Sequence, residues 1–315
     1  MMNRRMAIWM TAGALLLAAP AFSQGDKSLG QGRAVVTILS KQHGESPASI
    51  SQKDVSIKVN GKDSTVTGWA PLRGPESRQE LVILIDSSSR NSVGSQFSDI
   101  EHFINGLPPN TKAAIAYMMN GRAVFVGPLT ADHAEVLRAL HMPGGSPGSN
   151  ASPYFCLSDL AKHWPSGDRG VRREVVMVTD GVDNYERRFD PEDPYVESAI
   201  NDSIRAGLVV YSIYWQNQGI ADNTMYADNT GQSLLVEVTE ATGGKNLWNG
   251  IGNPVSFQPC LEELVRRLDN QYMLGFSARL DGKPGTETLR VKVEGSAVDV
   301  TAPKQVFVDR TGAAE

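Results

Sequence analysis

Apolar runs and amphipathic segments alternate through the centre of the chain. Residues 81–85 and 175–178 are unbroken apolar runs, which are typical of parallel strands that helices cover on both faces. Further strands are predicted at 113–118, 123–126, 208–214 and 246–248, and helices at 97–107, 132–140, 154–164, 195–206, 234–241 and 261–268. This alternation predicts an α/β fold with an open, doubly wound, mostly parallel sheet, in which a hairpin at Asn120-Gly121 adds one antiparallel strand.

Both ends of the chain carry shorter strand patterns. Residues 34–39 and 55–59 predict strands, and Asn60-Gly61 favours a tight hairpin turn before a return strand at 64–69. Near the other end, strands are predicted at 272–276, 289–293 and 306–308. We therefore predict a small β unit at 24–75, an α/β domain at 79–270 and a β tail at 271–315. Pairing of the tail with the first β unit is one arrangement that this pattern allows.

The first residues have the pattern of an export signal. Arg4 and Arg5 precede an uncharged apolar stretch at 7–19, and small residues follow at 21 and 23. The pattern predicts a signal peptide at 1–23, with an uncleaved anchor as the alternative. We expect an exported bacterial protein, periplasmic or extracellular, with no membrane insertion after the signal is cleaved.

Composition narrows the classes of partner. The chain has 315 residues and a formal net charge of -5, which disfavours nucleic acid because phosphate binding needs a concentrated basic surface. Its two cysteines, Cys156 and Cys260, permit one disulfide in an oxidising compartment. The alternative is that both remain buried thiols.

Polar clusters follow two of the predicted buried strands. Asp86-Ser87-Ser88-Ser89-Arg90 comes directly after the first, and Thr179-Asp180-Gly181 comes after the second. Ligands of open α/β sheets bind beyond the carboxyl ends of the strands, where these clusters and the loop 144–152 would meet. Carboxylates and hydroxyls are hard oxygen ligands, so the pattern favours Mg²⁺ or a similar ion.

The order of elements and these strand-end motifs resemble the von Willebrand factor A (VWA) domain over roughly 81–268. The resemblance implies a Rossmann-like domain with a metal-ion-dependent adhesion site, in which an Asp-x-Ser-x-Ser loop, a distant Thr and a later Asp hold Mg²⁺ or Mn²⁺. A partner's carboxylate then completes the coordination. By position, the implied ligands of the metal are Asp86, Ser88, Ser152 and Asp180. Ser146 and Ser149 are rivals for the position of Ser152.

Arg90 departs from the family's pattern, because it stands where the loop needs a third hydroxyl. A guanidinium has no acceptor and stays charged, so it cannot ligate a cation. If it points inward, it would repel the ion and pair with Asp86 or Asp180. If it points outward, a weakened site would remain. A purely structural role for Asp86, as a cap of the following segment, is a further alternative.

The flanks strengthen the resemblance. Gln271-Tyr272-Met273-Leu274-Gly275-Phe276, followed by a β tail, resembles the VWFA-related proteins of acidobacteria, which implies secretion and a binding role. We therefore expect a non-enzymatic module that binds a protein partner through a degenerate adhesion site. The alternatives are a metal-free scaffold of the cell envelope and a metal-assisted hydrolase, which lacks a histidine near the strand-end motifs.

Overall fold

A computed structural model of the protein describes residues 29–42, 49–74, 77–146, 148–185, 193–216, 225–248, 252–280, 283–294 and 297–310. The side chains of Arg90, Asn91 and residues 225–228 are not among those described. The predicted signal peptide at 1–23 also lies outside the described residues.

The described residues form thirteen strands, six α-helices and two 3₁₀ helices. The strands are β1 (Leu29–Ser40), β2 (Val55–Val59), β3 (Lys62–Pro71), β4 (Gln79–Asp86), β5 (Thr111–Met119), β6 (Arg122–Phe125), β7 (Arg172–Thr179), β8 (Leu208–Tyr214), β9 (Asn246–Leu247), β10 (Gln271–Arg279), β11 (Gly285–Val293), β12 (Val298–Thr301) and β13 (Gln305–Arg310). The α-helices are α1 (Phe97–Gly106), α2 (His133–Arg138), α3 (Pro153–Lys162), α4 (Pro194–Ala206), α5 (Met225–Thr242) and α6 (Gln258–Leu268), and 3₁₀ helices cover Gln52–Asp54 and Ser87–Gln96.

The middle of the chain forms a mixed six-stranded sheet in the order β6-β5-β4-β7-β8-β9. Neighbouring strands are parallel except β5 and β6, which the Asn120-Gly121 turn joins with φ angles of 50° and 72°. Every residue of β4, β7 and β8 is buried, as expected for apolar strands with helices on both faces.

Helices cover the two faces of this sheet. One face packs against α1, α2 and α6, with Phe103 and Leu264 in its core. The other face packs against α3, α4 and α5, with Leu157 and Val238 in its core. The apolar residues of α1 recur at helical spacing, so one side of that helix enters the core. No helix within the described residues is long and apolar enough to cross a bilayer.

The two ends of the chain build a closed antiparallel barrel. Six strands form the ring β1-β10-β3-β2-β11-β13, which returns to β1, and β12 pairs with the last residues of β1. Its core includes Val36, Leu274 and Phe276. Gly32 lies against this core so closely that an added Cβ would come within 2.3 Å of the Phe276 ring. Because the ring is closed, each of these six strands pairs with a neighbour on both sides over at least part of its length.

The predicted fold class, an open doubly wound mostly parallel sheet flanked by small β units at both ends, is wrong for this chain. The terminal segments do not form separate flanking units, because β10 pairs with β1 on one side and with β3 on the other. They close one antiparallel barrel with its own core, and the remaining sheet is mixed. Period-two patterns show which face of a strand is apolar, but they do not show which distant strand it pairs with.

A buried polar network joins the barrel to the mixed sheet. Arg172 at the start of β7 donates to the carbonyl of Leu268 at 2.8 Å, to Gln271 Oε1 at 2.5 Å and to Gln79 Oε1 at 2.9 Å. Gln79 donates in turn to Glu174 Oε2. The guanidinium of Arg172 lies 4.0 Å from the same carboxylate, and both side chains are buried. The network therefore places a buried guanidinium beside a buried carboxyl group.

The two cysteines are free thiols. Cys156 lies on α3 and Cys260 lies on α6, which pack on opposite faces of the mixed sheet. The sheet thus separates the two sulfurs, and a disulfide between them would require the core to open.

Candidate functional site

The site begins where β4 and β7 end, side by side, in the mixed sheet. Asp86 is the last residue of β4 and Thr179 is the last residue of β7. The Thr179 hydroxyl donates to Asp86 Oδ2 at 2.8 Å, and it accepts from the backbone N–H of Gly181 at 3.2 Å. The two strand-end motifs therefore meet as the sequence predicts, but through Thr179, which was not among the predicted ligands.

The Asp86 carboxylate accepts hydrogen bonds on both oxygens. Oδ1 accepts from the backbone N–H of Ser88 at 2.8 Å. Oδ2 accepts from Asn150 Nδ2 at 2.9 Å as well as from Thr179. A fully buried carboxylate needs such donors, because they replace the water that it loses on folding.

Asn150 connects the loop 148–152 to the rest of the site. Its Oδ1 accepts from Asn184 Nδ2 at 3.0 Å, its backbone N–H donates to Ser88 Oγ at 3.5 Å, and its carbonyl accepts from the N–H of Gly121 at 2.9 Å. Sequence reasoning missed Asn150, since an asparagine in a Gly/Ser/Pro-rich loop is an ordinary turn residue. The next residue, Ala151, has a left-handed φ of 59°.

Ser152 lies in the same loop but contacts a different carboxylate. Its hydroxyl donates to Asp183 Oδ2 at 2.9 Å and accepts from the N–H of Tyr154 at 3.3 Å, which caps α3. Of the two rivals, Ser146 is exposed, and the hydroxyl of Ser149 is buried with no hydrogen-bond partner among the described residues. The assignment of a loop serine as a metal ligand stays a prediction.

Asp180 lies under α5. Its Oδ1 accepts from the N–H of Val182 at 3.0 Å, and a Cβ added to Gly231 would come within 2.3 Å of its carbonyl oxygen. Tyr154 donates from below to the carbonyl of Gly181 at 2.7 Å. Burial, and secondarily the nearby carboxylates led by Asp183, raise the pKa of Tyr154 well above its usual range, so this phenol remains a donor.

The residues present do not fit the implied metal. Asp86, Ser88, Ser152 and Asp180 are each at most 1% exposed, so a partner's carboxylate has no open path to an ion among them. Hydrogen-bond donors already face both oxygens of Asp86, and Ser152 is directed to Asp183. Elsewhere in the described part of the chain, no three His, Cys, Asp or Glu residues are grouped to hold a metal.

Three aromatic rings, Phe155, Tyr185 and Tyr195, form a cluster beside this polar centre, which we call the aromatic triad. Their ring centroids lie 4.7 to 5.6 Å apart, and two of the three pairs are edge-to-face. Asp183 fixes the backbone of Tyr185 through a 2.8 Å hydrogen bond from its N–H. Tyr185 is 63% exposed, so the triad presents an aromatic surface to solvent.

Other apolar side chains are exposed along the same edge of the sheet. Met142 lies over Gly94, in the segment that follows β4, and Trp248 follows β9 and contacts the ring of Tyr214 edge-on. Aromatic and methionine side chains are enriched where protein surfaces meet partners.

Comparisons with known proteins find similar solved structures but no related sequence. No protein-family model matches the chain, and no curated protein does. Similar solved structures include an aerotolerance-related membrane protein from Bacteroides fragilis (TM-score 0.42, 14% identity, 61% of this chain and 98% of that chain). The pilus adhesin SpaC from Lactobacillus rhamnosus GG has a TM-score of 0.45 and 11% identity, over 85% of this chain and 49% of that one.

A VWA domain is also among the similar structures. The SpRpn10 VWA domain matches with a TM-score of 0.38 and 12% identity, over 59% of this chain and 95% of that chain. It belongs to the family that the strand-end motifs resemble. The finer resemblance to acidobacterial proteins is not shown by these structures.

Proposed function

We propose that this chain is an exported binding module, related to VWA domains and to the VWFA-related proteins of acidobacteria. It holds a protein partner at the edge of the mixed sheet where β4 and β7 end. The observation that carries the proposal is the aromatic triad, with Tyr185 exposed beside a buried polar network that fixes its backbone. Tyrosine is a frequent anchor of protein interfaces because it buries a large rigid surface.

The buried network supports this role by rigidity. Asp183 receives hydrogen bonds from Ser152 and from the N–H of Tyr185, so the loop that carries Tyr185 is tied to the start of α3. Asp193 caps α4 and orders Tyr195 through its N–H at 2.8 Å. A surface that is ordered before binding loses less conformational entropy when a partner arrives.

The module works without catalysis in this proposal. The Ser89 hydroxyl donates to the backbone carbonyl of Asp86 at 2.6 Å, and the Ser88 hydroxyl accepts from the N–H of Asn150. A serine nucleophile needs a base as its hydrogen-bond acceptor, and these two hydroxyls contact backbone groups instead. The Ser152 hydroxyl donates to a carboxylate, but Ser152 is fully buried, where a substrate does not reach it. Export to the periplasm or the cell exterior rests on the signal-like residues at 1–23.

Capture of a partner tests the proposal. The mature chain, immobilised, would be incubated with periplasmic and secreted fractions of the source organism. Retained proteins would then be compared for wild type, Tyr185→Ala and Val265→Ala. Val265 is an exposed apolar residue on α6, away from the triad, and it serves as the matched control.

We expect a partner that wild type and Val265→Ala retain equally. Tyr185→Ala should weaken its binding about 30-fold, the loss expected for an aromatic anchor worth about 2 kcal/mol. If all three proteins bind the partner equally, the interface does not include the aromatic triad. If no partner is found and the isolated chain self-associates, the envelope-scaffold alternative replaces the proposal.

A further inference from the structure

We infer that the polar centre around Asp86 is independent of divalent cations, because the carboxamide of Asn150 takes the place that an ion would occupy. The inference concerns the edge of the sheet that the proposed function uses. It depends on the contacts of Asp86 and not on the identity of a partner.

Most of the acceptor capacity of the Asp86 carboxylate is already in use. A carboxylate offers about four lone-pair positions. Three of them receive the Ser88 N–H, the Asn150 amide and the Thr179 hydroxyl, at 2.8 to 2.9 Å. A divalent ion at Oδ2 would face the hydrogens of the Asn150 amide, which repel it, so it would have to displace that donor. The Thr179 hydroxyl, in contrast, could turn its oxygen toward an ion.

The orientation of the Asn150 side chain is fixed by its second partner. Asn184 presents its Nδ2, which can only donate, to Asn150 Oδ1 at 3.0 Å. If the Asn150 amide were flipped, its oxygen would face the Asp86 carboxylate and its NH₂ group would face that of Asn184. Both contacts would then be repulsive, so the NH₂ end must face Asp86.

The backbone of Asn150 is held in place on both sides. Its N–H contacts Ser88 Oγ, its carbonyl accepts from Gly121, and the neighbouring Ser149 carbonyl accepts from the N–H of Asn120 at 2.7 Å. Asn150 is fully buried, and Ala151 beside it keeps a left-handed φ that costs a non-glycine residue energy. These contacts hold the backbone of Asn150 in place, so the amide can leave Asp86 only by rotation of the side chain, which would also break its hydrogen bond with Asn184.

Substitution of Asn150 should convert the polar centre into a site that binds a divalent cation. Asn150→Asp would place a second carboxylate against Asp86, and two adjacent carboxylates repel unless a proton or a cation lies between them. The variant should therefore bind Mn²⁺ or Mg²⁺, which the wild-type protein should not. Asn150→Ser is a milder variant that removes the amide, leaves Thr179 as the donor to Oδ2 of Asp86 and supplies a hydroxyl ligand.

The experiment measures calorimetric binding of Mn²⁺ and Mg²⁺, and the unfolding temperature in EDTA and in excess Mn²⁺. It compares wild type, Asp86→Ala, Asn150→Asp and Asn150→Ser. Asn270→Asp is the matched control, since Asn270 lies in the turn after α6 and bonds to the carbonyl of Arg266. We expect that neither wild type nor the control binds Mn²⁺ or Mg²⁺. Each of the two proteins should unfold at the same temperature in EDTA and in excess Mn²⁺.

Asn150→Asp should unfold at a lower temperature than wild type in EDTA and should recover in Mn²⁺, as expected when an ion binds only the folded state. If this variant does not fold, a gain of Mn²⁺ binding by Asn150→Ser supports the inference. Saturable binding by wild type that Asp86→Ala abolishes would overturn it, and so would the absence of any gain in the folded Asn150 variants. Partner capture is not a readout here, so failure of the proposed function would leave this result standing.

Discussion

Replacing Arg172 by methionine is expected to destabilise the protein, and more strongly at about pH 8 than at about pH 5. The substitution leaves Glu174 buried without its cation, which lies 4.0 Å away in the intact protein. It also removes the donor to the carbonyl of Leu268 and to the side chains of Gln271 and Gln79. The loss falls at the junction of the barrel and the mixed sheet.

The size of the destabilisation follows from the loss of the ion pair and from the loss of the hydrogen bonds that Arg172 donates. Removing one partner of a buried ion pair costs about 3–5 kcal/mol, because the other charge stays buried. Burial raises the pKa of Glu174 above its ordinary value of 4.5, and the charge of Arg172 opposes that rise. Without Arg172 the pKa rises further, so a proton can neutralise Glu174 in mildly acidic solution. At low pH we expect mainly the cost of the unsatisfied polar groups, about 1–3 kcal/mol.

The sign of the pH dependence is set by linkage. A carboxyl whose pKa is higher in the folded than in the unfolded state binds more protons when folded, so its contribution to stability falls as pH rises from 4.5 through the folded value. The variant widens that interval. The free energy of unfolding of Arg172→Met should therefore decrease with pH more steeply than that of wild type.

Urea denaturation of wild type, Arg172→Met, Glu174→Gln and the double variant provides the assay. The double variant carries neither charge, so it should be more stable than Arg172→Met at about pH 8, and its deficit should not change with pH. Equal losses from Arg172→Met at both pH values, or an equal loss in the Glu174→Gln background, would refute the ion-pair reasoning.

Urea denaturation, thiol labelling and the unfolding temperature check three further outcomes. Ala151→Gly should stabilise the protein by about 1 kcal/mol, because glycine adopts the φ of 59° without strain; an unchanged urea midpoint would contradict this. Gly181→Ala should cost more than about 1 kcal/mol, because its φ is 72° and the added Cβ would lie 2.4 Å from the Gly231 carbonyl; a neutral variant would show that α5 moves away readily. Cys156 and Cys260 should react with a thiol reagent only on unfolding, since burial raises both pKa values, and a reductant should leave the unfolding temperature unchanged. Rapid labelling of the folded protein would contradict that expectation.

Local elements could be predicted from the sequence where the pattern was strong. The strands predicted at 55–59 and 208–214 have those bounds in the structure, and both Asn-Gly pairs adopt positive φ angles. The short strand β12 was missed, because four residues give too little periodicity. Helix α5 begins at Met225, well before the predicted 234, because the intervening residues are mostly polar.

Long-range pairing could not be predicted. Val36 lies opposite Tyr272 in the barrel, and no local pattern relates two strands so far apart in the chain. The contacts of the site were hidden for a similar reason. That Asp86 and the 179–181 turn lie close together could be predicted, because both follow buried parallel strands of the same sheet. That Asn150 would reach Asp86, and that Ser152 would bond to Asp183, depends on the path of a loop with no periodic pattern.

The adjacency of β3 and β10 gives the chain a modular topology. Pro71 and Tyr272 are opposite one another in this antiparallel pair, and the N–H of Leu72 donates to the carbonyl of Gln271 at 2.8 Å. Such partners are about 5 Å apart, a gap that a two-residue turn spans. Relative to the barrel, residues 72–270 therefore occupy the position of a hairpin loop, and the whole mixed-sheet unit is an insertion that enters and leaves at one point. An insertion of this kind can be exchanged, shortened or transplanted as a unit while the strand order of its host is kept.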